Sequence, residues 1–88
     1  MENALKKWEI YMLRCADGSL YTGIATDADR RCAVHNSGKG AKYTRSRLPV
    51  FIIYRESCEG YAAALKREAA IKKLSRKEKL ELAGISSD

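Results

Sequence analysis

The sequence predicts one small domain of the α+β class, with its elements in the order β-β-α-β-α-α. A chain of 88 residues has room for a single hydrophobic core. Two strand-like segments near the N-terminus are joined by a turn signal, and a β-branched run follows near the middle of the chain. The last third is rich in helix-forming residues. We therefore expect an N-terminal extension at 1–7, one domain at 8–82 and a flexible tail at 83–88.

The first two strands, predicted at 8–15 and 20–24, form a hairpin. Apolar residues alternate with a period of two in the first segment, which is typical of a half-buried strand. Asp-Gly within the turn at 16–19 favours a tight connection. A two-residue turn would point Tyr21 away from Tyr11, whereas a three-residue loop would put both tyrosines on one face. We expect the three-residue loop, with its glycine in the left-handed conformation.

The first helix is predicted to run to about Asn36. Thr26 or Asp27 is a suitable N-cap, and acidic groups follow near the positive end of the helix dipole. The glycine-containing stretch 37–40 ends the helix. The segment 39–47 carries four basic side chains and no acidic one, so we expect a basic loop there.

One more strand and two helices complete the prediction. The apolar, β-branched run at 50–54 predicts a third strand that is well covered on both faces. Residues 61–74 are helix-forming, and Ser75 can cap a further short helix that ends at about Leu82.

The distribution of charge favours a polyanionic partner. The chain has 17 Lys+Arg and 11 Asp+Glu, a net charge of +6. Residues 1–29 contain three basic and five acidic groups, a sum of −2, so residues 30–88 carry +8. A regional excess of positive charge is typical of nucleic-acid binding, because phosphate contacts release condensed counterions. A merely solvated basic face is the alternative.

Other features exclude several protein classes. No apolar stretch approaches the ~20 residues needed to cross a bilayer, and the first residues lack the apolar core of a signal peptide. Cys15, Cys32 and Cys58 are widely spaced and form no zinc-binding pattern, so we expect reduced, half-buried thiols. We expect a cytoplasmic protein with no membrane partner.

Glu68 is the first candidate for a functional group. In helical projection it falls inside an apolar arc made of Tyr61, Ala64, Leu65, Ala69 and Ile71. A carboxylate in that position needs a partner. Lys72, four residues later, would form an ordinary helix ion pair. The alternative partner is Mg²⁺, which needs only one or two carboxylates when substrate phosphate and water fill its other positions.

Three kinds of side chain could join Glu68 in a chemical site. Arg31 and His35 are four residues apart, so they are neighbours on one helix face, where they could meet a phosphate or simply be solvated. Tyr11 and Tyr21 are either ordinary strand aromatics or, beside a cation, activated phenols.

Taken together, these residues resemble the GIY-YIG nuclease family. The likeness rests on an ordered set of motifs at family spacing, over about residues 8–80: Glu9-Ile10-Tyr11, Tyr21-Thr22-Gly23, Arg31 with His35, the segment 35–45, and Leu65-Lys66-Arg67-Glu68. The chain is most similar to the small stand-alone bacterial branch, the YhbQ-like proteins. Two positions depart from the family name, since Glu9 stands in place of glycine and Thr22 in place of isoleucine.

The resemblance implies a fold and a chemistry. The fold would be a three-stranded antiparallel sheet flanked by helices. The activity would be metal-dependent hydrolysis of phosphodiester bonds, with DNA as the usual substrate and Mg²⁺, or Mn²⁺ in its place, as cofactor. Glu68 would hold the metal, and Arg31 would bind the scissile phosphate. Tyr21 or Tyr11 would position or deprotonate water, and His35 is an alternative base or proton relay.

The remaining motif residues would bind flanking nucleic acid. Gly23 would permit close approach of the backbone. Contacts to nucleic acid would come from Lys39, Lys42, Tyr43, Thr44, Arg45 and Arg47. No sequence-reading element is evident, so we expect a preference for nucleic-acid structure or strand over base sequence. A non-catalytic nucleic-acid-binding module with the same fold is the alternative, and a protein partner or homodimer stays open.

Overall fold

The protein contains a three-stranded antiparallel sheet with helices on both faces. The computed structural model describes residues 6–86. The elements are β1 (Lys7–Cys15), β2 (Leu20–Ala25), α1 (Ala28–Asn36), α2 (Lys42–Arg45), β3 (Val50–Glu59), α3 (Tyr61–Lys72) and α4 (Arg76–Leu82). Of the predicted extension and tail, residues 1–5 and 87–88 lie outside the described residues, and Lys7 already belongs to β1.

The order of the strands is β2-β1-β3, so β1 is the central strand. The prediction of a half-buried first strand was wrong, because both faces of β1 are covered. Tyr11 and Leu13 pack in one core with residues of α1, and Ile10 and Met12 pack in a second core with residues of α3. Alternate side chains of β1 therefore enter two different cores, whereas in a half-buried strand one of the two sets would face solvent.

The hairpin has the predicted three-residue loop. The Cys15 N–H donates to the Ser19 carbonyl at 2.9 Å, and Gly18 has a φ of +86°, which a glycine adopts without a side-chain clash. This register pairs Leu13 with Tyr21 and places Tyr21 on the Tyr11 side of the sheet. The prediction that both tyrosines share one face is confirmed.

Helix α1 begins and ends as predicted, but the segment after it differs. Asp27 is the N-cap, and its carboxylate accepts a hydrogen bond from the Arg30 N–H at 3.0 Å. The expected irregular basic loop instead contains the single-turn helix α2. Its Thr44 is fully buried, because the side chain turns inward to hydrogen-bond His35 and Ala41.

Strand β3 is longer and less covered than predicted. It continues to Glu59 and forms an outer edge of the sheet, and Phe51 near its start is 61% exposed. A register shift opposite Met12 and Leu13 lets Ile53 and Tyr54 both pack in the α3 core. The polar residues after Tyr54 continue the strand because they pair with β1 and form ion pairs across the sheet.

Helices α3 and α4 hold the remaining candidate residues. Ser75 and Glu78 form a capping box at the start of α4, as its sequence indicates. The apolar arc predicted on α3 is narrower than expected: Ala64 and Ile71 are buried, whereas Tyr61 and Leu65 are exposed.

Two further predictions concern the chain as a whole. The three cysteines are free thiols, of which Cys15 is buried and the other two are half-buried. Among residues 6–86, the helices are all too short and too polar to span a membrane.

Candidate active site

Tyr11, Tyr21 and His35 form a compact cluster between the sheet and α1. The Tyr11 hydroxyl lies 3.0 Å from Nε2 of His35. The His35 ring meets both tyrosine rings at an angle of 63°, with centroid distances of 6.0 Å to Tyr11 and 5.2 Å to Tyr21. The sequence-predicted tyrosines of β1 and β2 and the histidine of α1 are therefore in direct contact.

Both ring nitrogens of His35 are hydrogen-bonded inside the protein. Nδ1 lies 3.3 Å from the Ala41 backbone nitrogen and 2.9 Å from the Thr44 hydroxyl, which itself donates to the Ala41 carbonyl at 2.9 Å. Nε2 lies 3.0 Å from the Tyr11 hydroxyl. The imidazole therefore joins Tyr11 of the sheet to the segment that holds Thr44.

His35 supports the site from behind. The residue is 0% exposed. Its burial lowers the pKa of His35, and the nearby positive charge of Arg31 acts in the same direction. The imidazole is therefore neutral at neutral pH. The two alternatives considered for His35, a phosphate contact or a solvated residue, were both wrong, because this face of α1 turns the ring into the protein.

The two tyrosines are in different environments. Tyr11 is 1% exposed, and its burial, together with the proximity of Tyr21, raises the pKa of Tyr11 to about 12 although Arg31 acts in the opposite direction. Tyr11 is therefore a hydrogen-bond donor at neutral pH and a poor base. Tyr21 is half-buried and lines an open cavity, so of the two phenols it is the one that can contact water.

Two glycines make room for the cluster. A Cβ on Gly23 would lie 2.7 Å from the Tyr11 hydroxyl oxygen, which gives the predicted close approach at Gly23 a specific cause. A Cβ on Gly40 would lie 2.3 Å from Nδ1 and 2.8 Å from Cα of His35. The sequence did not single out Gly40, because it follows Gly38 in a segment where either glycine could simply end α1.

Arg31 connects the cluster to the surface. It is half-exposed and lines an open cavity of about 330 Å³ at the start of α1. Its guanidinium is close enough to influence the pKa values of both Tyr11 and His35. An anion in this cavity would therefore meet Arg31 and Arg30, although the Asp27 carboxylate lines it too, and a guanidinium binds phosphate oxygens well.

Glu68 lies on α3, on the other side of the sheet from α1. Its carboxylate forms the predicted ion pair with Lys72, with 3.3 Å between Nζ and Oε2, and its side chain is 18% exposed. Lys72 lines the same cavity as Tyr21 and Tyr43, at the edge formed by β2. Lys72 thus pairs with Glu68 and also lines the cavity beside Tyr21 and Tyr43, at the edge of the sheet.

The residues around Glu68 fit one kind of metal site. Within residues 6–86, no group of three or more Asp, Glu, His or Cys side chains could enclose a metal ion. Glu68 would therefore be a single protein ligand, which suits Mg²⁺ when phosphate oxygens and water complete its coordination. The same carboxylate would have to exchange Lys72 for the metal, so the two cations compete for Glu68.

The segment 39–47 is only partly available to nucleic acid. Its Lys39, Lys42 and Arg45 are exposed, and Tyr43 is 40% exposed. The Tyr43 ring stacks on Tyr21, with a centroid distance of 6.1 Å and 25° between the planes.

Two residues of this segment have other partners. Arg47 lies over the Tyr43 ring at 3.9 Å and donates hydrogen bonds to Asp17 and to the Tyr43 carbonyl. Thr44 is fully buried against His35, so the prediction that Thr44 contacts nucleic acid directly was wrong. The pattern of the segment could not reveal this, because the partner of Thr44 lies in α1.

Glu9, which departs from the family motif, has a structural role. Its carboxylate accepts a hydrogen bond from the Ala28 N–H at 2.9 Å and pairs with Arg55 at 2.8 Å. Arg55 also pairs with Asp29 at 3.0 Å. Hydrogen bonds from Arg55 hold the pKa values of both carboxyl groups below their usual range. This network fixes the start of α1, one turn before Arg31.

The chain is similar to known proteins over most of its length. The GIY-YIG catalytic domain matches residues 7–81. A UPF0213 protein of Desulfotalea psychrophila is 55% identical over 76 residues, which cover 85% of this chain and 69% of that protein. A UPF0213 protein of Staphylococcus saprophyticus is 50% identical over 78 residues, which cover 89% of this chain and 95% of that protein.

Solved structures give the same result. The solution NMR structure of a UPF0213 protein of Bacillus halodurans is 44% identical, with a TM-score of 0.57, over 89% of this chain and 83% of that one. The solution NMR structure of a protein from E. faecalis is 41% identical, with a TM-score of 0.56, over 94% of this chain and 86% of that one. With the family's catalytic domain matched over nearly all of the described residues, this chain belongs to the GIY-YIG family.

Proposed function

We propose that this protein is a metal-dependent endonuclease that hydrolyses phosphodiester bonds in DNA. The observation that carries the proposal is the placement of Arg31, which lines an open cavity, beside the cluster of Tyr11, Tyr21 and His35. The arginine offers a fixed positive charge to a phosphate, and Tyr21 offers a hydroxyl group to water. Phosphoryl transfer is catalysed largely by such preorganised groups, because negative charge grows on the phosphate oxygens in the transition state.

Each residue has a distinct part in this mechanism. Arg31 binds the scissile phosphate from the open cavity, and the buried Tyr11 and His35 lie behind its guanidinium. His35 is a positioning residue that holds the Tyr11 ring through Nε2. Tyr21, at the solvent-accessible edge of the cluster, orients the attacking water. Catalysis of this kind depends on groups held in place before the substrate arrives.

Glu68 would hold the Mg²⁺ ion. When bound, the metal would supply Lewis-acid stabilisation of the charge that develops on the phosphate. The Glu68 carboxylate lies 3.3 Å from the Lys72 ammonium group, so the surroundings of Glu68 accommodate a cation. Mn²⁺ prefers the same oxygen ligands and would serve as a substitute.

The charge distribution supports a nucleic-acid substrate. Residues 30–88 carry a net charge of +8, and the exposed Lys39, Lys42 and Arg45 lie near the candidate site on the segment that holds Tyr43. Such contacts go to the sugar-phosphate backbone and carry no base information. The preference we propose is for the structure or strand of the DNA.

The proposal is tested by cleavage of labelled single-stranded, duplex, flapped and branched DNA, and of RNA, with Mg²⁺, Mn²⁺ or EDTA. The variant is Glu68→Gln, and Glu81→Gln, at an exposed position of α4, is the matched control. We expect metal-dependent cleavage of DNA that Glu68→Gln lowers by about 10²–10³-fold, as loss of one electrostatic group does elsewhere. Glu81→Gln should cleave like the wild type.

Two results would contradict the proposal. Equal cleavage by the wild type and Glu68→Gln would mean that the activity comes from a contaminant or from another site. Salt-sensitive binding without cleavage of any substrate would favour the non-catalytic nucleic-acid-binding module, in which Glu68 and Lys72 form only a structural ion pair.

A further inference from the structure

A second basic cavity lies at the opposite end of β2 from Arg31. It has a volume of about 250 Å³ and is lined by side chains from four elements: Leu20, Tyr21 and Thr22 of β2, Tyr43 of α2, Lys72 of α3 and Lys79 of α4. Two lysine ammonium groups and two phenol hydroxyls supply hydrogen-bond donors in it.

Lys79 contributes the uncompensated charge of this cavity. The charge of Lys72 is offset by Glu68, whose carboxylate oxygen lies 3.3 Å away. Within residues 6–86, the salt bridges include none with Lys79, although this side chain is half-buried. An unpaired ammonium group on a half-buried side chain attracts an anion more strongly than one in open solvent, because screening by water is reduced.

The walls of the cavity are held in place by the hairpin loop. Arg76 donates a hydrogen bond to the Gly18 carbonyl at 2.7 Å, which ties the first turn of α4 to the loop three residues before Lys79. Arg47 donates to Asp17 at 3.1 Å and lies against Tyr43, which ties the segment that holds Tyr43 to the same loop. The donors are therefore preorganised around a common anchor.

We propose that this cavity is a second phosphate subsite, in which Lys79, assisted by Lys72, binds the backbone of the same nucleic-acid strand that Arg31 binds. This subsite rests on the proposed function, since it requires a nucleic-acid substrate. The four-residue step from Tyr21 to Ala25 along β2 spans roughly 13 Å. At the axial rise of about 3.4 Å per nucleotide in one strand of duplex DNA, the two cavities therefore lie roughly four nucleotide steps apart.

The subsite determines how a strand lies on the protein. A strand bound at both cavities runs along β2, an outer strand of the sheet, and passes Tyr21. The phosphate at Lys79 is then a different one from the scissile phosphate at Arg31, and the strand passes Tyr21 between the two cavities. Its contact fixes register and affinity, and it adds no charge at the reacting atoms. Loss of Lys79 should therefore weaken binding and leave the chemical step of a saturated complex almost unchanged.

The test is binding of a short labelled single-stranded oligonucleotide in EDTA at several salt concentrations. Lys79→Gln is compared with Lys79→Arg, which keeps the charge, and with Lys77→Gln, which removes an exposed lysine of the same helix outside the cavity. We expect Lys79→Gln to weaken binding roughly tenfold. The slope of log K against log salt should fall by about 0.7, the value for one phosphate contact on a single strand.

The controls define the contrary results. Lys77→Gln should have a much smaller effect, and Lys79→Arg should bind nearly as tightly as the wild type. Equal loss in Lys79→Gln and Lys77→Gln, or no measurable binding by the wild type, would overturn the subsite. Because the assay contains no metal, it is independent of cleavage. If the wild type cleaves DNA but Lys79→Gln and Lys77→Gln bind equally well, the nuclease proposal stands and the subsite is wrong. If Lys79→Gln binds more weakly than Lys77→Gln but the wild type cleaves nothing, the subsite stands and the nuclease proposal is wrong.

Discussion

The Tyr11 hydroxyl of the central strand lies 3.0 Å from Nε2 of His35 in α1, and neither side chain is exposed beyond 1%. Nδ1 of the same imidazole contacts the Ala41 backbone nitrogen and the Thr44 hydroxyl, so both ring nitrogens have a partner inside the protein. One buried contact between residues 24 positions apart thus sets the orientation of a candidate catalytic hydroxyl.

The two tyrosines should respond differently to loss of their hydroxyl groups. Tyr11→Phe leaves the buried Nε2 of His35 without its hydrogen-bond partner, so we expect the free energy of unfolding to fall by about 1–3 kcal/mol. Tyr21→Phe removes a hydroxyl group at an open cavity. It should change the free energy of unfolding by less than ~0.5 kcal/mol while lowering the cleavage rate. Urea unfolding and cleavage assays on both variants measure these effects. Equal stability losses would argue against the hydrogen-bond assignment.

His35 should make the stability of the protein depend on pH in the range just below about 6.5. Burial, aided by Arg31, holds the pKa of His35 below the usual ~6.5, so below that pH the unfolded state binds the proton more readily. Stability is fully present above pH ~6.5 and falls with decreasing pH, by at most about 1.4 kcal/mol per pH unit.

The chain contains one histidine, so the assignment can be checked directly. The free energy of unfolding, measured with urea across this pH range, should fall with decreasing pH for the wild type. It should stay constant for His35→Gln. Glu9, Asp17, Asp29 and Glu56, whose pKa values are lowered, titrate below about 4.5 and do not contribute here. Parallel profiles for the two proteins would rule out His35 as the titrating group.

Gly40 and Gly38 form a matched pair of glycines with different constraints. A Cβ at Gly40 would lie 2.8 Å from the Cα of His35, so Gly40→Ala must displace backbone and should cost about 2–3 kcal/mol together with activity. Gly38 has open space around it but a φ of +86°, so Gly38→Ala should cost only about 1 kcal/mol and spare activity. Thermal unfolding and cleavage assays compare them. A larger loss for Gly38→Ala would contradict this account of the cluster.

The ion-pair network at the start of α1 should stabilise the protein and position Arg31. Glu9→Gly, which restores the family's glycine, removes the acceptor of the Ala28 N–H and one partner of Arg55. We expect a loss of about 1–2 kcal/mol. Glu9→Gln keeps an acceptor for Ala28 and should lose less. Denaturant titration of the two variants measures the difference, and a neutral Glu9→Gly would show that α1 is fixed without this network.

Local features of the fold were predictable from the sequence. The N-cap of α1, the capping box of α4 and the Glu68–Lys72 pair all join residues at most four positions apart, so the pattern of the chain contains the whole interaction. The position of Gly18 predicted the length of the hairpin loop and therefore the strand register. That register correctly placed Tyr11 and Tyr21 on one face.

Features that depend on distant partners were not predictable. The second half of β3 is polar, and it pairs as a strand because residues such as Arg55 find partners on β1 and α1. Likewise Thr44 looked like a surface residue in a basic segment, whereas His35 and Ala41 bury it. Periodicity records which residues are apolar, and it contains no signal for a polar residue whose hydrogen-bond partner lies elsewhere in the fold.

The most direct test of the central claim separates binding from chemistry at Glu68. We would measure single-turnover cleavage of the preferred DNA with saturating Mg²⁺, and binding of the same DNA in EDTA, for the wild type and Glu68→Gln. We predict a cleavage rate lower by about 10²-fold or more, with binding affinity within a few-fold of the wild type. If cleavage and affinity instead changed in parallel, or cleavage did not change, Glu68 would not be the group that serves the chemical step, and the endonuclease mechanism proposed for this site would be wrong.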